Sequence, residues 1–224
     1  MANINGKGGG AGDGGAPLTI GARQITVIGV LTAMIVITTV FTRIPLVIGY
    51  FNLGDTFVLL AGALFGGFTG AFTGAVGSAL ADILTGSYIF APITFIVKGA
   101  EGYLAGRVSG GGIANNPASD GLLSNGGVFR ARPNAKAGGG MLNNAKNAKN
   151  VRGRGRSLTL ALIAGASVMI IGYFIAESTV LTLFDRAFGL SAAITELPFN
   201  LAQGAISVAL TRVVIEGLKR TRVL

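Results

Sequence analysis

Six apolar stretches punctuate the chain, four before and two after a polar, basic segment from Val108 to Ser157. The first runs from about Gln24 to Ile44, where Pro45 ends it. A bilayer's hydrocarbon core needs about 20 helical residues, so this stretch suffices for one crossing. From Leu53 to Leu84 the chain is apolar throughout but punctuated by glycine, which predicts two short helices meeting near Gly66 and Gly67. The fourth stretch covers about Tyr88 to Val108, the fifth Leu158 to Leu183 and the sixth Leu190 to Leu218. The pattern predicts an all-α integral membrane protein with six transmembrane helices. Residues 1–22 are expected to form a flexible Gly-rich tail, 23–108 to carry helices one to four, 109–157 to form a disordered basic linker, and 158–224 to carry the last two helices and a short basic tail.

Charge sets the expected orientation. Of the 18 Lys and Arg, only Arg43 and Arg186 fall at the outer ends of the stretches, and Lys98 lies near the middle of the fourth. The rest gather in the linker and near the two chain ends. By the positive-inside rule, both termini and the linker are cytoplasmic, as an even number of crossings requires. The protein is expected in the cell membrane as a multi-pass chain.

Composition narrows the chemistry. Half of the residues are hydrophobic, 12% are charged and the mean hydropathy is +0.65. The net charge of +9 does not point to nucleic acid, because the basic residues sit in loops between apolar segments and not on a folded, aromatic-bearing face. With neither Cys nor His, disulfides, thiolate nucleophiles, imidazole bases and the usual zinc sites are all excluded. No catalytic group, metal site or cofactor is expected.

Small residues mark close helix contacts. Gly62, Gly66, Gly70, Gly74 and Ser78 recur every four residues, with Ala63, Gly67, Ala71, Ala75 and Ala79 one position later. Residues four apart share a helix face, and small side chains there admit another helix. Gly29 and Ala33 form a further small pair in the first stretch.

Ionisable groups inside a membrane are costly and default to functional candidates. Asp82, Glu177 and Glu196 fall at a similar outer depth, and Glu196, Asn200 and Gln203 are spaced i, i+4, i+7 along one helix face. Together they suggest a pocket, with Arg43 the one cation able to reach Asp82 or Glu177 from the outer side. Lys98 and Glu101, three apart in the fourth stretch, suit either an intrahelical ion pair or a place in the site. Tyr50, Phe51, Tyr88, Phe90 and Phe199 lie near the outer ends, where they suit an interfacial belt or contacts to a planar ring. The connection from Leu46 to Asp55 carries Gly49 and Gly54, which suit the hinges of a lid.

Three segments carry a resemblance: Phe51-Asn52-Leu53-Gly54-Asp55, Lys98-Gly99-Ala100-Glu101-Gly102, and Glu196-Leu197-Pro198-Phe199-Asn200-Leu201-Ala202-Gln203. In this order, on six basic-inside stretches, they resemble the substrate-binding S components of energy-coupling factor (ECF) transporters, nearest the riboflavin-type group. That group includes relatives proposed to carry hydroxymethylpyrimidine. The resemblance covers about Gln24 to Arg107 and Leu158 to Leu218, whereas the long linker departs from the short loops of the family. It implies a subunit that binds a vitamin or precursor, riboflavin or a hydroxymethylpyrimidine- or thiamine-like compound, near the outer face. Asp82, Tyr88, Lys98, Glu177, Glu196, Asn200 and Gln203 are the expected substrate-binding residues. Gly49, Tyr50, Phe51 and Asn52 are expected in the gate. Gly29 and Ala33 match where such subunits contact a membrane coupling protein, itself joined to two ATPases. The chain lacks the G-x-x-x-x-G-K-[ST] phosphate loop, so ATP-driven uptake needs those partners. The competing readings are a self-sufficient proton-coupled carrier using the same carboxylates and, more remotely, a membrane-embedded enzyme.

Overall fold

The computed structural model describes residues 22–46, 49–110 and 142–221, with side chains placed for 24–46, 49–110 and 158–221. The expected N-terminal tail, most of the expected linker and the extreme C-terminus lie outside these residues. Among the described residues there are six α-helices: α1 (Ala22–Phe41), α2 (Gly54–Phe65), α3 (Gly67–Leu84), α4 (Ala91–Val108), α5 (Leu142–Ile175) and α6 (Leu190–Arg220). A two-residue antiparallel ladder joins α1 to α2, with β1 (Ile44–Pro45) paired to β2 (Tyr50–Phe51). Past α5 the chain continues through a π-helical turn, Ala176–Val180, and a short 3-10 turn, Leu181–Leu183.

Four segments are long and apolar enough to cross a membrane: Gln24–Phe41, Gly67–Leu84, Leu158–Leu183 and Leu190–Arg220. The other two helices differ for visible reasons. At 12 residues α2 is only about 18 Å long by the 1.5 Å helical rise, and α4 carries Lys98, Glu101 and Arg107 within its 18 residues. The break between α2 and α3 falls at Gly66, whose φ of 94° is in the left-handed region that glycine tolerates. Ile37, Phe41, Leu84, Ile96, Leu183 and Val213 stand exposed around the bundle. Water-soluble monomers seldom expose so much contiguous apolar surface, and lipid is the solvent that suits it.

Lipid tails are as apolar as the helices they surround, so close backbone approach replaces the hydrophobic drive between helices. The glycine rows supply it within this chain. A Cβ on Gly70 would fall 2.6 Å from Gly62 Cα, and one on Gly74 would fall 2.6 Å from the Lys98 carbonyl oxygen. Gly102 of α4 meets the Gly70 backbone just as closely. α2, α3 and α4 therefore form one tightly knit unit, and Leu59, Ala63, Ala105, Leu162 and Ile215 join it to α5 and α6.

Because consecutive helices alternate in direction, the C-terminal ends of α1, α3 and α5 meet the N-terminal ends of α2, α4 and α6. The β1–β2 hairpin lies across that end, held by Gly49 and Asn52 to α6 and by Tyr50 to α3.

Candidate functional site

Beneath the hairpin, side chains from β2, α5, α6 and the segment leading into α4 converge on a cavity of about 20 Å³, room for roughly one water. From α6 come Glu196, Asn200 and Gln203, the stripe expected from their spacing. From α5 and its π-helical turn come Tyr173 and Glu177. Phe90, just ahead of α4, and Gly49, Tyr50 and Asn52 of the hairpin complete the lining. The π-helical turn widens the backbone at the level of Glu177, whose carbonyl accepts a hydrogen bond from Gly189 N–H at 3.0 Å. That bond folds the connection between α5 and α6 back over the cavity.

The hairpin is fastened to α6 by polar groups. Gly49 N–H donates to Glu196 Oε1 at 3.0 Å, and Asn52 N–H donates to Gln203 Oε1 at 2.8 Å. Gln203 Nε2 in turn donates to Asp55 Oδ2 at 2.9 Å. Asp55 and Glu101 both pair with the Lys98 ammonium, the latter at 3.2 Å, and all three side chains are buried. A charged chain thus runs from the cavity floor into the α2–α4 unit. Lys98 also lies 5.3 Å above the Tyr173 ring, whose hydroxyl hydrogen-bonds Thr94 at 3.0 Å.

On the other flank, the Arg43 guanidinium stacks 3.8 Å from the Tyr50 ring centroid and donates to Thr85 and Ser87. Tyr50 donates its hydroxyl to Asp82. Burial pushes the Tyr50 phenol above its ordinary range, with Tyr173 and Asp82 adding to the shift, so the phenol stays a donor. Arg43 thereby reaches Asp82 through a tyrosine layer. The Phe90 ring makes edge contacts with Tyr50 and Phe188, at 6.4 and 5.6 Å between centroids.

The expected site residues therefore separate into layers. Glu177, Glu196, Asn200 and Gln203 share the cavity, as do Gly49, Tyr50 and Asn52 of the expected gate. Phe51, the other gate residue, is half-buried in β2 without lining the cavity. Asp82 sits one layer out against Tyr50, and the Lys98 ammonium is held by Asp55 and Glu101 below. Tyr88 is 68% exposed and takes no part in the lining. Gly54 is packed against Thr39 of α1 with its N–H bonded to Asn52 Oδ1, an arrangement that leaves little room for a hinge. Sequence reasoning left Tyr173 out of the expected site and passed over Asp55, noted only as the end of a motif. The available signal was a lone acid opening an apolar helix while Lys98 needed a buried counter-charge.

Gly29 and Ala33 lie elsewhere, in an open apolar groove between α1 and α3 that Thr32, Val36, Phe72 and Val76 also line. A Cβ on Gly29 would meet nothing within 4 Å.

Comparison with known proteins adds three findings. Residues 19–121 match the family model described as the ECF-type riboflavin transporter, S component. An uncharacterised protein of Pyrococcus woesei is 43% identical over 79 residues, which cover 34% of this chain and 53% of that protein. The chain thus spans about half the length of the curated relative it matches. A solved structure of the S component of a bacterial ECF transporter shares the fold with a TM-score of 0.55 at 17% identity, covering 89% of this chain and 96% of that one. In sequence this integral membrane protein resembles the riboflavin-type S components of ECF transporters, and in fold it resembles an ECF transporter S component.

Proposed function

We propose that this chain is the substrate-binding subunit of an ECF-type importer, capturing a vitamin or vitamin precursor at the outer face for ATP-driven uptake by partner subunits. The observation that carries the reading is the convergence of Glu196, Asn200 and Gln203 with Tyr50, Phe90 and Tyr173 under the hairpin. Small-molecule sites are commonly of this kind, with aromatic walls and a few placed polar groups. In this reading six helices cross the membrane, both termini are cytoplasmic and the hairpin faces outward. The substrate is riboflavin or a hydroxymethylpyrimidine- or thiamine-like compound.

A cavity of about 20 Å³ holds no such ring. The conformation described is a closed one, and Gly49, Tyr50, Phe51 and Asn52 act as the gate that withdraws from α6 to admit substrate. Asp82 supports the gate through Tyr50, and Lys98 supports it through Asp55 and Gln203. The open groove at Gly29 and Ala33 supports docking of the membrane coupling subunit, which carries two ATPases. Small residues there let a partner helix approach closely.

The test is to purify the full chain in detergent and identify any small molecule that accompanies it by absorbance and mass spectrometry after denaturation. A flavin spectrum or a pyrimidine mass is the expected outcome. A protein that carries nothing and binds neither class in titration refutes the reading.

A further inference from the structure

We infer that the cavity selects a planar ring bearing an amine, so that the ligand donates to Glu177 and Glu196. This rests on reading the cavity as the substrate site. Glu177 is 3% exposed, yet its Oε2 has no hydrogen-bond partner. A buried acceptor without a donor costs free energy that a ligand donor recovers. Glu196, 2% exposed, faces the same cavity and holds the Gly49 N–H. None of the residues lining the cavity is cationic. Two cations of the surrounding bundle are committed elsewhere, Lys98 to Asp55 and Glu101, and Arg43 to Thr85, Ser87 and the Tyr50 ring.

Two carboxyl groups without a lining cation offer no partner to a ligand that presents its own carboxylate or phosphate. They favour an exocyclic amine next to a ring nitrogen, an edge that can offer a carboxylate two donors when the ring is protonated. Tyr50, Phe90 and Tyr173 supply aromatic surface, which also attracts a cationic ring. Glu196 ties selection to opening. In the closed state it holds Gly49, so a ligand amine that takes over the carboxylate releases the hairpin from α6.

The experiment is calorimetric titration of the detergent-purified full chain with three probes: hydroxymethyl aminopyrimidine, its oxo counterpart with a carbonyl in place of the amine, and riboflavin. The amine compound is expected to bind at least about tenfold more tightly than the oxo compound, since a hydrogen bond to a charged group carries roughly that discrimination. Glu177→Gln is expected to remove most of that preference, with folding checked by helical circular dichroism. The comparison of amine with oxo in the unaltered chain needs no variant. Equal affinity for the two pyrimidines, or tight riboflavin binding indifferent to Glu177→Gln, overturns the amine inference and leaves the substrate-site reading standing. Failure of all three probes to bind overturns both.

Discussion

Gln203 Nε2 donates to Asp55 Oδ2 at 2.9 Å, and this one contact joins the roof of the cavity to the charged interior of the bundle. The same amide accepts the Asn52 N–H through its oxygen, so a single side chain spans hairpin and core. Gln203→Leu removes both bonds at once. Each buried polar group left unsatisfied costs about 1–3 kcal/mol. The variant is expected to melt at a lower temperature and to release ligand faster, measured by thermal unfolding and stopped-flow displacement.

Lys98 sits between two buried carboxylates. Removing one partner of a buried ion pair costs about 3–5 kcal/mol, because a charge stays behind without compensation. Lys98→Met is expected to abolish or severely reduce folded protein, scored by monodispersity on gel filtration. Glu101→Gln is expected to be much milder, since Lys98 keeps Asp55. Equal damage from both substitutions would refute this division of roles.

The two classes of glycine separate by experiment. Gly70→Val drives a branched side chain into the Gly62 and Gly102 backbone and is expected to cost at least about 1–3 kcal/mol, as overpacking does. Gly29→Leu meets open space and is expected to leave thermal stability and ligand binding unchanged. In the assembled transporter the same variant is expected to lower uptake by obstructing the coupling subunit. Wild-type uptake would count against docking at α1.

Tyr50 links an alkaline limb of stability to the hairpin. Its folded-state phenol is raised above the ordinary value, so the fold favours the protonated form. The stabilisation is full below about pH 10, the ordinary phenol value, and declines as pH rises beyond it. Tyr50→Phe is expected to flatten that decline while lowering stability at neutral pH by about 1–3 kcal/mol, because the Asp82 acceptor loses its donor. Unfolding followed from pH 8 to 11 measures both effects.

Asn200→Ala is expected to weaken substrate binding without loss of folded protein, since the side chain lines the cavity. Tyr88→Ala, by contrast, alters a residue outside the lining and is expected to leave affinity within about twofold, a negligible free-energy change. Titration calorimetry on both variants distinguishes the cavity from the aromatic rim.

The i, i+4, i+7 spacing of Glu196, Asn200 and Gln203 was legible because helical periodicity alone puts those positions on one face. Gly66 was legible as the break between α2 and α3 for an equally local reason. Asp55 was not, since its partners Lys98 and Gln203 lie 43 and 148 residues away, and no local rule pairs them. Nor did sequence separate the glycines of α2 and α3, pressed against α4, from Gly29, left open on α1.

Hydropathy and charge placement by themselves determined a helical membrane protein, because burying peptide groups in lipid allows few architectures and those patterns are read along the chain. Tertiary structure alone decided which polar groups share the cavity, which are consumed in holding it, and that Glu177 keeps an acceptor without a donor. Those are distances between helices, and they depend on how closely Gly70 and Gly102 let the helices approach.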